Sequence, residues 1–193
     1  MKKILIILLL TPLFLKAQEI IPNPTVSIDT ASKQIIYKET VAVPGYTKEE
    51  IYSTLREWVP KDFYVAQSYI SYEDYKSGRI IAHAMVFGKR GLGLIAVPYS
   101  INFNIYLWIK DGAYRYQISD FFILWGLNGD ASPDMHSADI YITDTQYKNK
   151  KGEYIGRARL ILYNIDGNAQ NTIVNLKYAV KTKKYSHKID DDF

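Results

Sequence analysis

Apolar and polar residues alternate most regularly over residues 100–109. The odd positions are large and apolar, namely Ile101, Phe103, Ile105, Leu107 and Ile109. The even positions are polar or aromatic, namely Ser100, Asn102, Asn104, Tyr106 and Trp108. A period of two is that of a β-strand. Burying five such side chains contributes at most about 7–15 kcal/mol. We therefore predict that the odd positions face a helical layer and that the even positions lie on an open or partly covered face.

Other segments have the β-branched and aromatic content of strands. They are residues 34–43, 64–75, 79–87 and 113–122. Turn sequences separate them, namely Pro44-Gly45, Ser77-Gly78 and Asp111-Gly112. The last two are typical of hairpins, so neighbouring strands are expected to be antiparallel. Residues 88–93, which hold three glycines, are predicted to form a loop.

Two segments have helical spacing. Thr47 and Glu50 form a capping box, in which each side chain satisfies a free backbone N–H of the first turn. The stripe of Ile51, Leu55 and Trp58 follows, and Pro60 is expected to end this helix.

The second helical stripe lies near the C-terminal end and consists of Ala169, Ile173, Leu176 and Val180. Asp166 or Asn168 is the predicted cap of this helix. Residues 159–165 fit a helix or a strand equally well. Residues 124–144 are typical of a loop, with a short strand expected at residues 140–142.

The order of elements is therefore β-α-β-β-β-β-α. Short turns between consecutive strands favour an antiparallel sheet, here of four to six strands. Two amphipathic helices would pack on one face of it. The predicted class is α+β.

Three features resemble a known family. They are the helix ending near Trp58, the Ser77-Gly78-Arg79-Ile80 hairpin and the turn from Trp108 to Arg115. Over roughly residues 34–122 the chain resembles the secreted bacterial domain of unknown function 4468 family, which has a TBP-like fold. The resemblance implies that topology, and it carries over neither an activity nor catalytic residues. "TBP-like" describes topology and implies no DNA binding.

The first residues predict export. Lys2 and Lys3 precede an apolar run over residues 4–15, and Ala17 suits cleavage by signal peptidase. We expect a signal peptide at 1–17, an extended leader at 18–32, one α+β domain at 33–182 and a charged tail at 183–193. The predicted location is periplasmic, envelope-associated or secreted. The run is shorter than the roughly 20 residues of a membrane helix, so the exported chain is not expected to be an integral membrane protein.

The composition excludes several classes of function. The 193 residues include no cysteine, which excludes disulfides, thiol nucleophiles and iron–sulfur ligation. Removing residues 1–17 takes away three lysines and no acid, so the formal charge of +4 falls to +1. A nearly neutral chain lacks the positive charge that attracts nucleic acid, so the sequence does not indicate nucleic-acid binding. We expect no cofactor. Histidines are few, and His83, in a predicted strand, fits a half-buried, hydrogen-bonded structural role.

The nearest approach to a catalytic or metal cluster is one loop, which holds Asp130, Asp134, His136 and Asp139. Carboxylates and imidazole are the donors that a metal-assisted hydrolase or a weak Ca²⁺ site would use. The same residues also suit a polar surface loop whose side chains stabilise turns. A hydrolase centred on Asp134, His136 and Asp139 is therefore one alternative function.

The leading hypothesis is a binding module. Candidate ligand-binding residues lie on the predicted open face, namely Asn102, Asn104, Tyr106, Trp108, Arg115 and Gln117. Aromatic rings beside amides suit a carbohydrate, a peptide or another protein. We expect a non-enzymatic exported protein that binds an envelope partner or small ligand through this face or its long loops. A lipid or hydrophobic-ligand carrier is a further alternative.

Overall fold

The computed structural model describes residues 21–62, 68–90, 97–125 and 135–182. The strands are β1 (Tyr37–Ala42), β2 (Ser68–Asp74), β3 (Arg79–Arg90), β4 (Val97–Lys110), β5 (Ala113–Trp125) and β6 (Met135–Ser137). The helices are α1 (Lys48–Asp62), α2 (Ile140–Thr143) and α3 (Gly156–Lys181), and a 3₁₀ turn spans Thr145–Tyr147. The predicted signal peptide and charged tail lie outside the described residues.

The six strands form one antiparallel sheet in the order β1-β5-β4-β3-β2, and β6 pairs with β5. Short turns join β2 to β3 and β4 to β5, as the hairpin sequences predict. At the first turn Gly78 has a φ of +68° and lies against the carbonyl of Ile109, where a side chain would not fit. The α+β antiparallel class is confirmed.

The helices α1 and α3 cover one face of this sheet. All five odd positions of β4 are buried beneath them, and the most accessible, Ile109, is 5% exposed. Ile51, Leu55 and Trp58 of α1 are fully buried, as are Ile161 and Leu162 of α3. The predicted direction of the β4 side chains is therefore confirmed, and their even-numbered neighbours point away from the helices.

Helix α1 begins as its sequence predicts. Glu50 N donates to Thr47 Oγ1 at 3.2 Å, and Thr47 N donates to Glu50 Oε2 at 2.9 Å. The helix ends later than expected, at Asp62. Pro60 does not end it but lies within its last turn. Proline removes one N–H donor there without preventing two more helical residues.

Four further sequence-based assignments are wrong. Residues 140–142 belong to helix α2 and not to a strand, and residues 124–144 also include β6 and the end of β5. Of the loop predicted at residues 88–93, residues 88–90 lie in β3, and residues 91–93 lie outside the described residues. Helix α3 begins at Gly156, ten residues before Asp166. The buried Ala158, Ile161, Leu162 and Ile165 extend the same apolar stripe, so tertiary packing overrides the weaker helix propensity of isoleucine.

The N-terminal described segment is tied to the domain. Residues 21–27 have no regular structure, and Ile28 forms an isolated antiparallel bridge with Ile35. Tyr154 N donates to Asn23 Oδ1 at 2.9 Å, and Ile35 N donates to Asp139 Oδ1 at 2.9 Å. The described part of the predicted leader is thus held by a contact with Tyr154, more than a hundred residues away in sequence.

Candidate functional site

The sheet surface that turns away from the helices is here called the open face. Pairing across the strands arranges its side chains in rows. One row contains Asp74, Arg79, Trp108, Arg115 and Thr40. The next contains Tyr72, Ile81, Tyr106, Gln117 and Lys38, and a third contains Tyr69, His83, Asn104 and Ser119. Residues from five strands therefore meet on one surface.

A β-bulge at Asp120 interrupts the pairing of β4 with β5. The register shifts between Asn102 and Asn104, and Asp120 has a φ of +59°. A bulge re-aims side chains, and aspartate is among the few residues that enter the left-handed region readily. The bulge directs the Asp120 carboxylate onto the open face, where it accepts from Tyr106 Oη at 2.6 Å and Asn104 Nδ2 at 3.1 Å.

This carboxylate fixes the orientation of its neighbours. Because Asn104 Nδ2 donates to Asp120, Asn104 Oδ1 faces His83 Nδ1 at 3.2 Å. The histidine nitrogen must donate in that bond, which leaves Nε2 of a neutral ring as an acceptor. The half-buried, hydrogen-bonded role expected for His83 is confirmed.

Tyr106, which donates to the Asp120 carboxylate, keeps its proton and remains a hydrogen-bond donor. Burial raises the pKa of Tyr106, and its bond to the Asp120 carboxylate raises the pKa further. The phenol is therefore protonated throughout the physiological pH range.

Trp108 and its neighbours form the aromatic part of the open face. The rings of Tyr106 and Trp108 are stacked, with centroids 6.1 Å apart and planes 20° apart. The Arg115 guanidinium lies 4.8 Å from the centroid of the Trp108 ring, within the range of a cation–π contact. Trp108 and Tyr106 are each half-buried. Their ring surfaces are thus both fixed in place and accessible.

Two shallow depressions adjoin these rings. One of about 320 Å³ is lined by Trp108, Lys110 and Arg115, among others. A second of about 360 Å³ is lined by Lys38, Glu39, Thr40, Arg115 and Gln117. Thr40 and Arg115 line both, so the depressions are continuous across β5 and β1.

All six predicted ligand-binding residues lie on the open face. Asn104, Tyr106, Trp108, Arg115 and Gln117 are neighbours in the three rows. Asn102 lies beyond the bulge, paired with Met85 and Phe122, and its amide donates to Ser100 Oγ at 3.0 Å. Sequence reasoning missed Asp120 and Arg79. The signal for Asp120 was present, since strict alternation would have placed this charged residue in the core after Tyr114, Tyr116 and Ile118.

The end of the open face beyond the bulge is apolar. Phe87, Phe122 and Met135 are 58%, 40% and 65% exposed, respectively. The open face therefore has a polar aromatic end around Trp108 and an apolar end around Phe122.

The alternative catalytic loop is only partly described. Asp130 and Asp134 lie outside the described residues. His136 Nε2 lies 2.8 Å from Tyr141 Oη. Asp139 accepts from Ile35 N and from Ser137 Oγ, the latter at 3.1 Å. These bonds hold β6 to α2 and connect their junction to Ile35, which lies just before β1. Across the described ranges, no group of three or more acidic, histidine or cysteine side chains is placed to hold a metal ion.

Comparison with known proteins identifies the fold and the family. A DUF4468 family protein from Bacteroides ovatus ATCC 8483 is similar, with a TM-score of 0.63 and 15% identity over 82% of this chain and 92% of its own. A TBP-like protein from Parabacteroides distasonis ATCC 8503 has a TM-score of 0.59 and 16% identity over 81% of this chain and 97% of its own. No curated protein matches the chain.

None of the helices that the structure describes is long and apolar enough to cross a bilayer. The family model described as "Domain of unknown function (DUF4468) with TBP-like fold" matches residues 25–123. This match spans β1 to β5 and includes the rows of the open face. The chain therefore belongs to the DUF4468 family.

Proposed function

We propose that this protein is an exported, non-enzymatic module that binds a partner or ligand through the polar aromatic end of its open face. The N-terminal sequence supports export, because it has the positive, apolar and small-residue regions of a signal peptide. The family match supplies no activity, so the argument rests on the surface itself.

One observation carries the proposal. Tyr106 and Trp108 are oriented by contacts within the protein, and their rings nevertheless remain accessible on the open face. Preorganised aromatic side chains lose little conformational entropy on binding and contribute large contact areas. A sheet that needed these rings only for stability would gain more by burying them.

The contacts of the other candidate residues favour this function over the alternatives. His136 and Asp139 make hydrogen bonds that hold β6 and α2 to the rest of the fold. The layer between the sheet and the helices is filled by large buried side chains, including Trp58, Phe103 and Phe121. The rings of Tyr106 and Trp108 on the open face, in contrast, remain accessible.

Site-specific photo-crosslinking in the producing cell tests the proposal. A photoreactive phenylalanine analogue is placed at Tyr72, which is 46% exposed on the open face, or at Tyr178, which is 58% exposed on α3. We expect an adduct from position 72 and none from position 178. Adding Tyr106→Ala and Trp108→Ala should abolish the adduct.

The matched control is Tyr163→Ala with Tyr178→Ala, which removes two exposed aromatic rings from α3. This control should leave the adduct from position 72 intact. An adduct that survives loss of Tyr106 and Trp108, in a variant that still folds by circular dichroism, would refute the site. Equal adducts from both positions would indicate nonspecific contact and would also refute it.

A further inference from the structure

We propose that the ligand of the open face is an anionic polysaccharide, with its sugar rings against Tyr106 and Trp108 and its acidic groups on Arg79 and Arg115. This inference rests on the proposed function and specifies the ligand class. Three observations lead to it, namely the positions of the cations, the fixed geometry of Arg115 and the shape of the depressions.

The cations flank the aromatic residue on both sides. Strand pairing places Arg79 of β3 and Arg115 of β5 directly opposite Trp108 of β4. Lys110 is two residues further along β4 and lines the same depression. Three positive side chains therefore surround one accessible indole ring.

These cations differ from those on the helical side of the sheet. There Arg56 pairs with Glu73 at 2.7 Å and Lys177 pairs with Glu39 at 2.6 Å. Within the ranges that the structure describes, Arg79, Lys110 and Arg115 form no ion pair. Unpaired arginines beside accessible aromatic rings are complementary to an anionic ligand.

The nearby carboxylates are already engaged. Asp74 lies opposite Arg79, but its Oδ1 accepts from Lys76 N at 2.9 Å. Hydrogen bonds from Ser77, together with this one from Lys76, hold the pKa of Asp74 below its usual range and keep its carboxylate at the β2–β3 turn. Asp120 accepts from Tyr106 and Asn104. Both carboxylates keep their negative charge, but neither forms an ion pair with Arg79 or Arg115 within the described residues.

Arg115 is preorganised for an acidic group. Its guanidinium lies against the Trp108 ring, which restricts the rotation of a long side chain. A planar guanidinium held in this way can present two parallel N–H donors to a carboxylate or sulfate. Lysine at this position would provide the charge without that geometry.

The shape of the surface favours a chain of sugars over a peptide. The continuous depressions run across β5 and β1 and are lined by hydroxyl and charged side chains, including Thr40 and Lys38. Glu39 also lines the second of them, but its carboxylate accepts from Lys177 and Tyr116. The site centres on Trp108 of β4, whose backbone already pairs with β3 and β5, so a peptide could not add a strand beside this residue.

Calorimetric titration with defined polymers tests the ligand class. The probes are oligogalacturonate, which carries carboxylates, dextran sulfate, which carries sulfates, and a neutral galactan oligomer. Binding of either acidic polymer but not the neutral one is expected, and the polymer that binds more tightly identifies the anion. Polyglutamate is the peptide comparison, and equal or tighter binding of polyglutamate would overturn the assignment to a polysaccharide.

Variants connect the binding to the proposed residues. Arg115→Gln and Arg79→Gln should each weaken binding about tenfold or more, because a charged hydrogen bond is lost. Arg115→Lys should recover part of the loss by restoring the charge. Lys150→Gln, in an exposed turn between the 3₁₀ turn and α3, should leave the affinity unchanged. Full affinity in both arginine variants, or equal binding of the neutral oligomer, would overturn the inference.

The outcomes separate this inference from the proposed function. If neither acidic polymer binds while the adduct from position 72 still depends on Trp108, the ligand class is wrong and the binding face stands. If the adduct is also absent, both proposals fail.

Discussion

The bulge at Asp120 provides the sharpest test of how this sheet is built. Asp120→Ala removes an acceptor of two hydrogen bonds, from Tyr106 and Asn104, and leaves a β-carbon at a φ of +59°. Each half-exposed bond contributes about 1 kcal/mol. Alanine in the left-handed region adds about 1 kcal/mol of strain. The expected loss in the free energy of unfolding is about 3 kcal/mol.

Asp120→Gly separates the two contributions. Glycine also loses the hydrogen bonds but adopts the positive φ without strain, so this variant should be about 1 kcal/mol more stable than Asp120→Ala. For a domain of this size, 1 kcal/mol corresponds to roughly 2–4 °C in Tm. Asp120→Ala should therefore lower Tm by about 6–12 °C. Urea unfolding with a constant m-value is the assay.

A double-mutant cycle examines the bond to Tyr106 directly. Tyr106→Phe should cost about 1 kcal/mol in the native chain and clearly less in Asp120→Ala, where only the longer bond from Asn104 Nδ2 to Tyr106 Oη, at 3.3 Å, is left to lose. The reasoning is refuted if Tyr106→Phe is equally costly in both backgrounds. It is also refuted if the alanine and glycine variants have the same stability.

Two further predictions concern the covered side of the sheet. A side chain at Gly88 would overlap the buried ring of Tyr99, so Gly88→Ala should cost about 1–3 kcal/mol in urea unfolding, and a cost below about 0.5 kcal/mol would contradict the packing. Burial and the Asp166 carboxylate raise the pKa of Tyr37 in the fold, so its contribution to stability is complete below the unfolded pKa of about 10 and declines as pH rises above it. Between pH 10.5 and 11.5 Tyr37→Phe should lose about 1 kcal/mol less stability than the native chain, and equal losses would show that the native Tyr37 ionises normally.

Local patterns along the chain were sufficient for the class of fold. Alternation over residues 100–109 predicts the buried face of β4, because the side chains of a strand point in alternate directions whatever its neighbours are. The Thr47–Glu50 capping box predicts the start of α1 for a similar reason, since both partners lie within one turn. The open-face residues Tyr106, Trp108 and Arg115 follow from the same alternation.

Elements whose form depends on distant contacts were predicted less well. Residues 140–142 have the composition of a strand but form α2, whose start is fixed by the bond from Ile35 to Asp139. The first ten residues of α3 are helical because their apolar side chains pack on the sheet. Local propensity is worth only tenths of a kcal/mol per residue, and such packing outweighs it.

The sequence alone thus determined the strands, the main helices and the side of β4 that is buried. Each of these depends on the spacing of residues that are close together in the sequence. Only the tertiary structure placed Arg79 and Arg115 on either side of Trp108 and directed Asp120 toward Tyr106. Those placements depend on the register between strands and on one inserted residue. Register is a property of a pair of strands, because it depends on the total burial of the side chains of both strands. It therefore cannot be read from one segment of the sequence.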